Sequence, residues 1–164
     1  LSSNIKGNIQ SLYEAVEASR SILYVGDNCG EIVFDRLFIE QLNPDCVTYA
    51  VRAAPIINDV TFKDAAFTGM TDRMRVIDSG SDAPGTLLAE CSQTFKKAFK
   101  HADLIIAKGQ GNYETLHAID RQIAFMLKVK CPAVAQHIGH EIGSYVIKLH
   151  NAGAMPIGSQ EGAP

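Results

Sequence analysis

Four short apolar runs, each stopped by a polar turn, constrain this chain more than any other feature. Ile22-Leu23-Tyr24-Val25 ends at Gly26-Asp27-Asn28, and Val47-Thr48-Tyr49-Ala50-Val51 leads to a polar loop at Asn58-Asp59. Met74-Arg75-Val76-Ile77 ends at Asp78-Ser79-Gly80-Ser81-Asp82, and Leu104-Ile105-Ile106-Ala107 ends at Lys108-Gly109-Gln110-Gly111-Asn112. Runs this short, apolar throughout and bounded by turn formers, read as buried strands. Between them the apolar spacing changes to a helical period. Ile5, Ile9, Leu12 and Val16 predict a helix over about residues 4–19. Val33, Phe34, Leu37, Phe38 and Leu42 predict a second, stopped by Asn43-Pro44. A short helix follows toward Phe67, and Leu88, Cys91, Phe95 and Phe99 mark another that ends near His101.

Two more strands are predicted, over residues 123–129 and at Tyr145-Val146-Ile147. A short helix lies between them, with Pro132 in its first turn and Gly139 just past its end. Strands alternating with helices specify an α/β chain: a three-layer α/β/α sandwich around a mostly parallel, Rossmann-like sheet of about six strands. Residues 1–150 read as one such domain, and 151–164, rich in Gly, Ala and Pro, as a flexible C-terminal tail.

Composition removes several function classes. The 164 residues are 46% hydrophobic and 20% charged, which is ordinary for a globular chain and excludes disordered, coiled-coil and collagen-like ones. A net charge of −3 provides no basic field for nucleic acid. No apolar run is long enough for a bilayer, and no leader pattern is visible, so no membrane partner is expected. Leu1 in place of Met reads as a trimmed start. Cys29, Cys46, Cys91 and Cys131 are scattered and form no CxxC pair, which fits reduced thiols in the cytoplasm and gives no zinc spacing. His137 and His140, followed by Glu141, do not make HExxH and read as surface or turn histidines.

In a parallel sheet the ligand crevice lies outside the carboxyl ends of the strands. Those ends carry Asp27, Asn28, Glu31, Asn58, Asp59, Asp78, Asp82 and Lys108. Any one of them alone is readily a cap or turn residue. Gathered at one edge, the carboxylates repel one another unless a cation sits among them, and Asp and Asn oxygens suit Mg²⁺ or Mn²⁺. The loop Gly109-Gln110-Gly111-Asn112 can aim backbone N–H groups at a phosphate, with Lys108 beside it, and Ser79-Gly80-Ser81 is a second such loop. Neither a P-loop nor a dinucleotide fingerprint is present. Acidic residues facing a lysine and a glycine loop suit phosphate-ester chemistry. Asp78 or Asp82 is expected to cap the helix that follows rather than bind metal, because Pro84-Gly85 marks a turn into it.

The segment Val25-Gly26-Asp27-Asn28-Cys29-Gly30-Glu31-Ile32-Val33-Phe34-Asp35 resembles the DNxGE segment of the DUF89 family, the metal-dependent damage-control phosphatases. Val51-Arg52-Ala53-Ala54-Pro55-Ile56-Ile57-Asn58-Asp59 is similar to that family's VRGxPxxND segment. Residues 79–86 and 107–114 match two more segments in the same order, and Lys130-Cys131-Pro132 with residues 143–148 fits the C-terminal end. Cys29 stands where a small Ala is common, and Ala53-Ala54 where glycine is frequent; neither removes a ligand. The resemblance implies phosphomonoester hydrolysis, with a divalent metal on Asp27, Asn28 and Asp59 and the substrate phosphate near Lys108. Members of the family usually carry a helical domain before this one, so a missing N-terminal helical segment, or a homo-oligomer, is among the expected partners.

The reading is therefore a metal-dependent phosphatase acting on small phosphorylated metabolites, such as sugar phosphates or phosphopantetheine-like compounds. Asp27 and Lys108 are its expected catalytic residues. Lys108, Gly109, Gly111, Asn112, Ser79 and Ser81 are its expected substrate contacts. Asp27, Asn28 and Asp59 hold Mg²⁺ or Mn²⁺, with Co²⁺ and Ni²⁺ as further candidates. The attacking group is open between a water and the Asp27 carboxylate. The alternative is a non-catalytic module that binds a nucleotide or another phosphorylated ligand in the same crevice.

Overall fold

A computed structural model describes residues 5–151. The predicted tail therefore lies, from residue 152 on, outside the described residues. The elements are β1 (Ile5–Gly7), α1 (Ile9–Glu17), β2 (Ile22–Val25), α2 (Ile32–Glu40), β3 (Val47–Val51), α3 (Phe62–Phe67), β4 (Arg75–Asp78), α4 (Gln93–His101), β5 (Leu104–Lys108), α5 (Gln110–Leu116), β6 (Ile123–Lys128), α6 (Pro132–Ile138) and β7 (Tyr145–His150). None of these helices is long and apolar enough to cross a membrane.

The seven strands form one sheet in the order β1-β7-β6-β5-β2-β3-β4. Every neighbouring pair is parallel except β6 with β7. The chain winds outward from β2 through β3 to β4, then returns to the other side of β2 with β5. The strand order thus reverses between β2 and β5, and a crevice opens at such a switch point.

Strand side chains alternate between two cores. Leu23 and Val25 face one, with Phe95, Phe99, Tyr113, Leu116, Val134 and Ile138 of α4, α5 and α6. Ile22 and Tyr24 face the other, with Leu12, Ala15, Ile32, Ile39 and Ala65 of α1, α2 and α3. Helices on both faces complete the α/β/α sandwich. Burial on both sides is why β2 and β5 read as unbroken apolar runs.

Four expectations need correction. Residues 5–7 are not the first turn of α1. They form a strand paired with β7, Ile5 opposite Tyr145, and the helix starts after Asn8, whose side chain accepts from Ser11 N. This adds a seventh strand to the six expected. The helix expected around Leu88 starts only at Gln93, and Ser92 caps it by accepting from Phe95 N. Neither Asp78 nor Asp82 caps it; Asp78 Oδ1 instead accepts from Gly80 N and closes a turn. Finally, His137 is half-buried, with Nδ1 2.8 Å from Tyr113 Oη and its ring packed edge-on against His117.

Candidate active site at the switch point

Asp27 lies two residues past the end of β2, and Lys108 is the last residue of β5, so the β2–β5 pairing brings both to the same carboxyl edge. Asp59 arrives from the loop after β3. The backbone carries it there: Asn28 and Asp59 form an isolated antiparallel bridge, Val60 N donates to Asp27 O at 2.7 Å, and Cys29 N donates to Asn58 O at 2.8 Å. Asp27, Asn28 and Asp59 are therefore neighbours, held by main-chain bonds.

Asn28 Nδ2 donates to Asp27 Oδ2 at 2.8 Å and to Glu31 Oε1 at 3.0 Å. Arg52 Nε donates to Asp59 Oδ2 at 2.7 Å. Among the described residues no hydrogen bond reaches Asp27 Oδ1, Asn28 Oδ1 or Asp59 Oδ1. Each of the three residues thus keeps one oxygen to offer. Oxygen donors of this kind, two carboxylates and a carboxamide, fit a hard divalent cation. No group of three His, Cys, Asp or Glu that could hold a metal occurs among the described residues, so a set of three here draws its third donor from the Asn28 amide oxygen. Gly109 adds to the fit: a Cβ there would collide with the Asp27 carboxylate, and its φ of 79° suits glycine alone.

Electrostatics agree. Burial, then the nearby Asp59 and Glu31 carboxylates, push the Asp27 carboxyl up to about 6, against the opposing pull of Lys130 and Arg52. A carboxylate crowded by its own kind is stabilised by a cation placed among them.

Arg52 is a residue whose role the sequence does not reveal. Its side chain is 3% exposed, and it donates to Asp59, to Thr86 Oγ1 at 3.3 Å and to Asn112 Oδ1 at 3.1 Å. Asn112 is fully buried; its amide nitrogen donates to Gly26 O and Lys108 O, and its oxygen also accepts from Thr86 Oγ1 at 2.7 Å. Every valence of Asn112 is used inside the protein. It is a knot that ties β2, β5 and the loop after β4 together, not an open contact for a substrate. Gly111 also has a packing role: α5 begins at Gln110, so Gly111 lies within its first turn, and a Cβ there would crowd Gly85 N at 3.3 Å. Ser79 and Ser81 are buried; the Ser79 hydroxyl donates to Ser81 O, and Ser81 Oγ bonds Glu90 and accepts from Ala83 N. Of the expected substrate contacts, Lys108 and Gly109 face open space.

That space is a cavity of about 580 Å³, lined at one end by Asp27, Glu31, Lys108, Gly109 and Lys130, and along its wall by Phe34, Met126, Tyr145 and Ile147. Lys108 is not free within it. Its ammonium donates to Glu31 Oε2 at 2.7 Å and to Asp35 Oδ1 at 2.8 Å. Burial works against its charge, but Asp35 and Glu31 outweigh burial and hold its pKa above the ordinary lysine value. Asp35 itself is buried and accepts from Tyr24 Oη at 2.7 Å and Tyr49 Oη at 2.9 Å. Burial, followed by the Asp35 charge, raises both phenols well above their usual range, so they stay protonated donors. One sequence signal pointed to Asp35: it lies one turn beyond Glu31, on the same face of α2.

In this mostly parallel α/β sandwich, carboxylates, an amide and lysines gather at the switch point, where folds of this class place their ligand crevice. Residues 3–146 match the family described as the damage-control phosphatase ARMT1-like domain, and the chain belongs to that family. It is 43% identical over 141 residues to "Damage-control phosphatase PH1575" of Pyrococcus horikoshii, covering 84% of this chain and 49% of that protein. A protein of Archaeoglobus fulgidus called "Damage-control phosphatase" is 38% identical over 137 residues, covering 80% of this chain and 47% of that one. Methanocaldococcus jannaschii has an uncharacterized relative, MJ0202, 45% identical over 135 residues, covering 78% and 44%. The crystal structure of the P. horikoshii DUF89 protein superposes with a TM-score of 0.81 at 41% identity, covering 85% of this chain and 50% of that one. The chain spans about half the length of these relatives.

Proposed function

We propose that this chain carries the metal-binding and phosphate-binding edge of a metal-dependent phosphomonoesterase for small phosphorylated metabolites, sugar phosphates or phosphopantetheine-like compounds among them. The observation that supports this best is the set of three unshared oxygens, on Asp27, Asn28 and Asp59, at the same edge as Lys108. Two relatives that carry the name damage-control phosphatase support the reaction class.

In this reading Asp27, Asn28 and Asp59 hold Mg²⁺ or Mn²⁺. The bound cation supplies positive charge against the phosphoryl oxygens. Arg52 keeps Asp59 in one orientation, so its free oxygen needs no reorganisation on binding. Asn28 does the same for Asp27. Lys108 donates to a phosphoryl oxygen, and its raised pKa keeps it charged across the neutral range. Lys130, exposed on the cavity rim, adds a second positive charge to the phosphate's approach. Phe34 and Tyr145 offer an apolar wall to the leaving group.

The test is hydrolysis of an aryl phosphate by the metal-free chain, with and without added Mn²⁺, beside calorimetric Mn²⁺ titration. Turnover that needs the metal, and is lost with metal binding in Asp27→Ala, is the expected result. Tight phosphate binding without turnover would favour the non-catalytic module. Absence of Mn²⁺ binding would overturn the assignment of the site.

A further inference from the structure

We propose that Glu31 is an internal occupant of the anion seat at Lys108. In the free protein its carboxylate takes the place at the ammonium that a phosphate oxygen takes on binding, while Asp35 remains the lysine's permanent anchor. The identity of the anion rests on the phosphatase reading above.

The two ion pairs of Lys108 are nearly equal in length, 2.7 and 2.8 Å, but unequal in setting. The Asp35 side chain is 3% exposed and is also held by two buried phenols. Separating it from Lys108 would leave a buried carboxylate with only its two phenol donors, a cost that an exposed carboxylate does not carry. The Glu31 side chain is 42% exposed. It stands in the cap position of α2 but makes no capping bond there, and its other tie is to the Asn28 amide. Released from Lys108, its carboxylate returns to water at little cost. Exchange at Lys108 is therefore one-sided: Asp35 stays and Glu31 leaves.

Charge gives the reason for the exchange. One ammonium between two carboxylates is a net negative group. Asp27 stands beside it, and the charge of Asp59 is already matched by Arg52. A phosphate approaching this arrangement meets surplus negative charge at the lysine meant to attract it. An ammonium has three N–H donors. With Glu31 in place one is left; with Glu31 displaced, two face the incoming anion. Lys130 offers the displaced carboxylate another partner, since its charge already reaches Glu31.

The experiment titrates inorganic phosphate calorimetrically into the Mn²⁺-saturated chain and into two variants, Glu31→Gln and Glu31→Asp. The first removes the charge; the second keeps the charge but withdraws its reach. Both variants are expected to bind phosphate about 2- to 5-fold tighter than the wild type, the range released when a half-exposed ion pair no longer competes. A gain in Glu31→Gln alone would reduce the effect to general electrostatics and overturn the seat. Weaker binding in either variant would make Glu31 a contributor to anion binding, the reverse of the proposal. Phosphate binding by the wild type with no gain in either variant sinks this inference and leaves the phosphatase reading standing. No phosphate binding by the Mn²⁺-saturated wild type or either variant sinks both.

Discussion

Arg52 and Lys108 flank Asp27 at the same sheet edge, and each pairs with carboxylates, yet they are built to opposite ends. Arg52 is buried and spends its donors on Asp59, Thr86 and Asn112. Lys108 has one buried partner and one that reaches solvent. The planar guanidinium fixes several acceptors at once in a set geometry, whereas the ammonium is a compact charge with rotatable donors. A sealed cation stiffens a site; a half-open one leaves something to exchange.

The largest effect should come from breaking the sealed side. Arg52→Ala strands the Asp59 carboxylate and removes a partner from buried Asn112. It should cost about 3–5 kcal/mol in denaturant unfolding of the metal-free protein. A loss below about 1 kcal/mol would mean that Arg52 does not brace Asp59 and Asn112.

Asp27 sits between the two sides, and its pH response sharpens the contrast. Its pKa is raised in the fold, from 3.8 to about 6. The folded state therefore holds this proton more tightly than the unfolded chain does. The stability it contributes is present below about pH 4 and lost as pH rises through 6. Asp27→Asn lacks this loss, so without metal the variant should gain on the wild type by about 2–3 kcal/mol between pH 4 and pH 7.5. Urea unfolding of both proteins across that range checks it. A difference that stays flat with pH would show that neither burial nor the Asp59 and Glu31 carboxylates hold the Asp27 proton in the fold.

On the half-open side, Lys108→Met takes the cation from Asp35 but leaves it two phenol donors. A cost of about 2 kcal/mol is expected in the same assay, with Mn²⁺ affinity changed less than tenfold. A Mn²⁺ affinity that collapsed in this variant would place Lys108 in the metal site rather than beside it. Glu31→Gln should be the mildest of the set, below about 1 kcal/mol in stability. A larger loss would mean that Glu31 is as firmly built in as Asp35.

The strands were legible because burial on both faces writes itself into sequence as short apolar runs, and their polar ends marked the ligand edge. What escaped was non-local. Asp35 and Lys108 are 73 positions apart, and Arg52 and Asn112 are 60 apart; no spacing rule announces either pair. Asn112 was misleading for a physical reason, since an amide in a glycine turn looks the same whether it reaches for a ligand or for buried carbonyls. Ile5-Lys6-Gly7 was misread because Ile5 lies four residues before Ile9, which continues the helical period, while the strand's partner lies near the far end of the sequence.

That edge strand also bears on how the protein comes to be made. Ile5 of β1 and Tyr145, Val146 and Ile147 of β7 line the cavity together, although about 140 positions separate them in register. The acidic residues come from the first sixty positions and can gather early. The wall facing them cannot stand until the last strand has been synthesised and β1 has closed over a very long loop, the kind of contact that forms late. On the ribosome the cleft's acidic residues therefore precede the β1–β7 part of its wall, and a chain released before β7 would present the site's carboxylates without that surface.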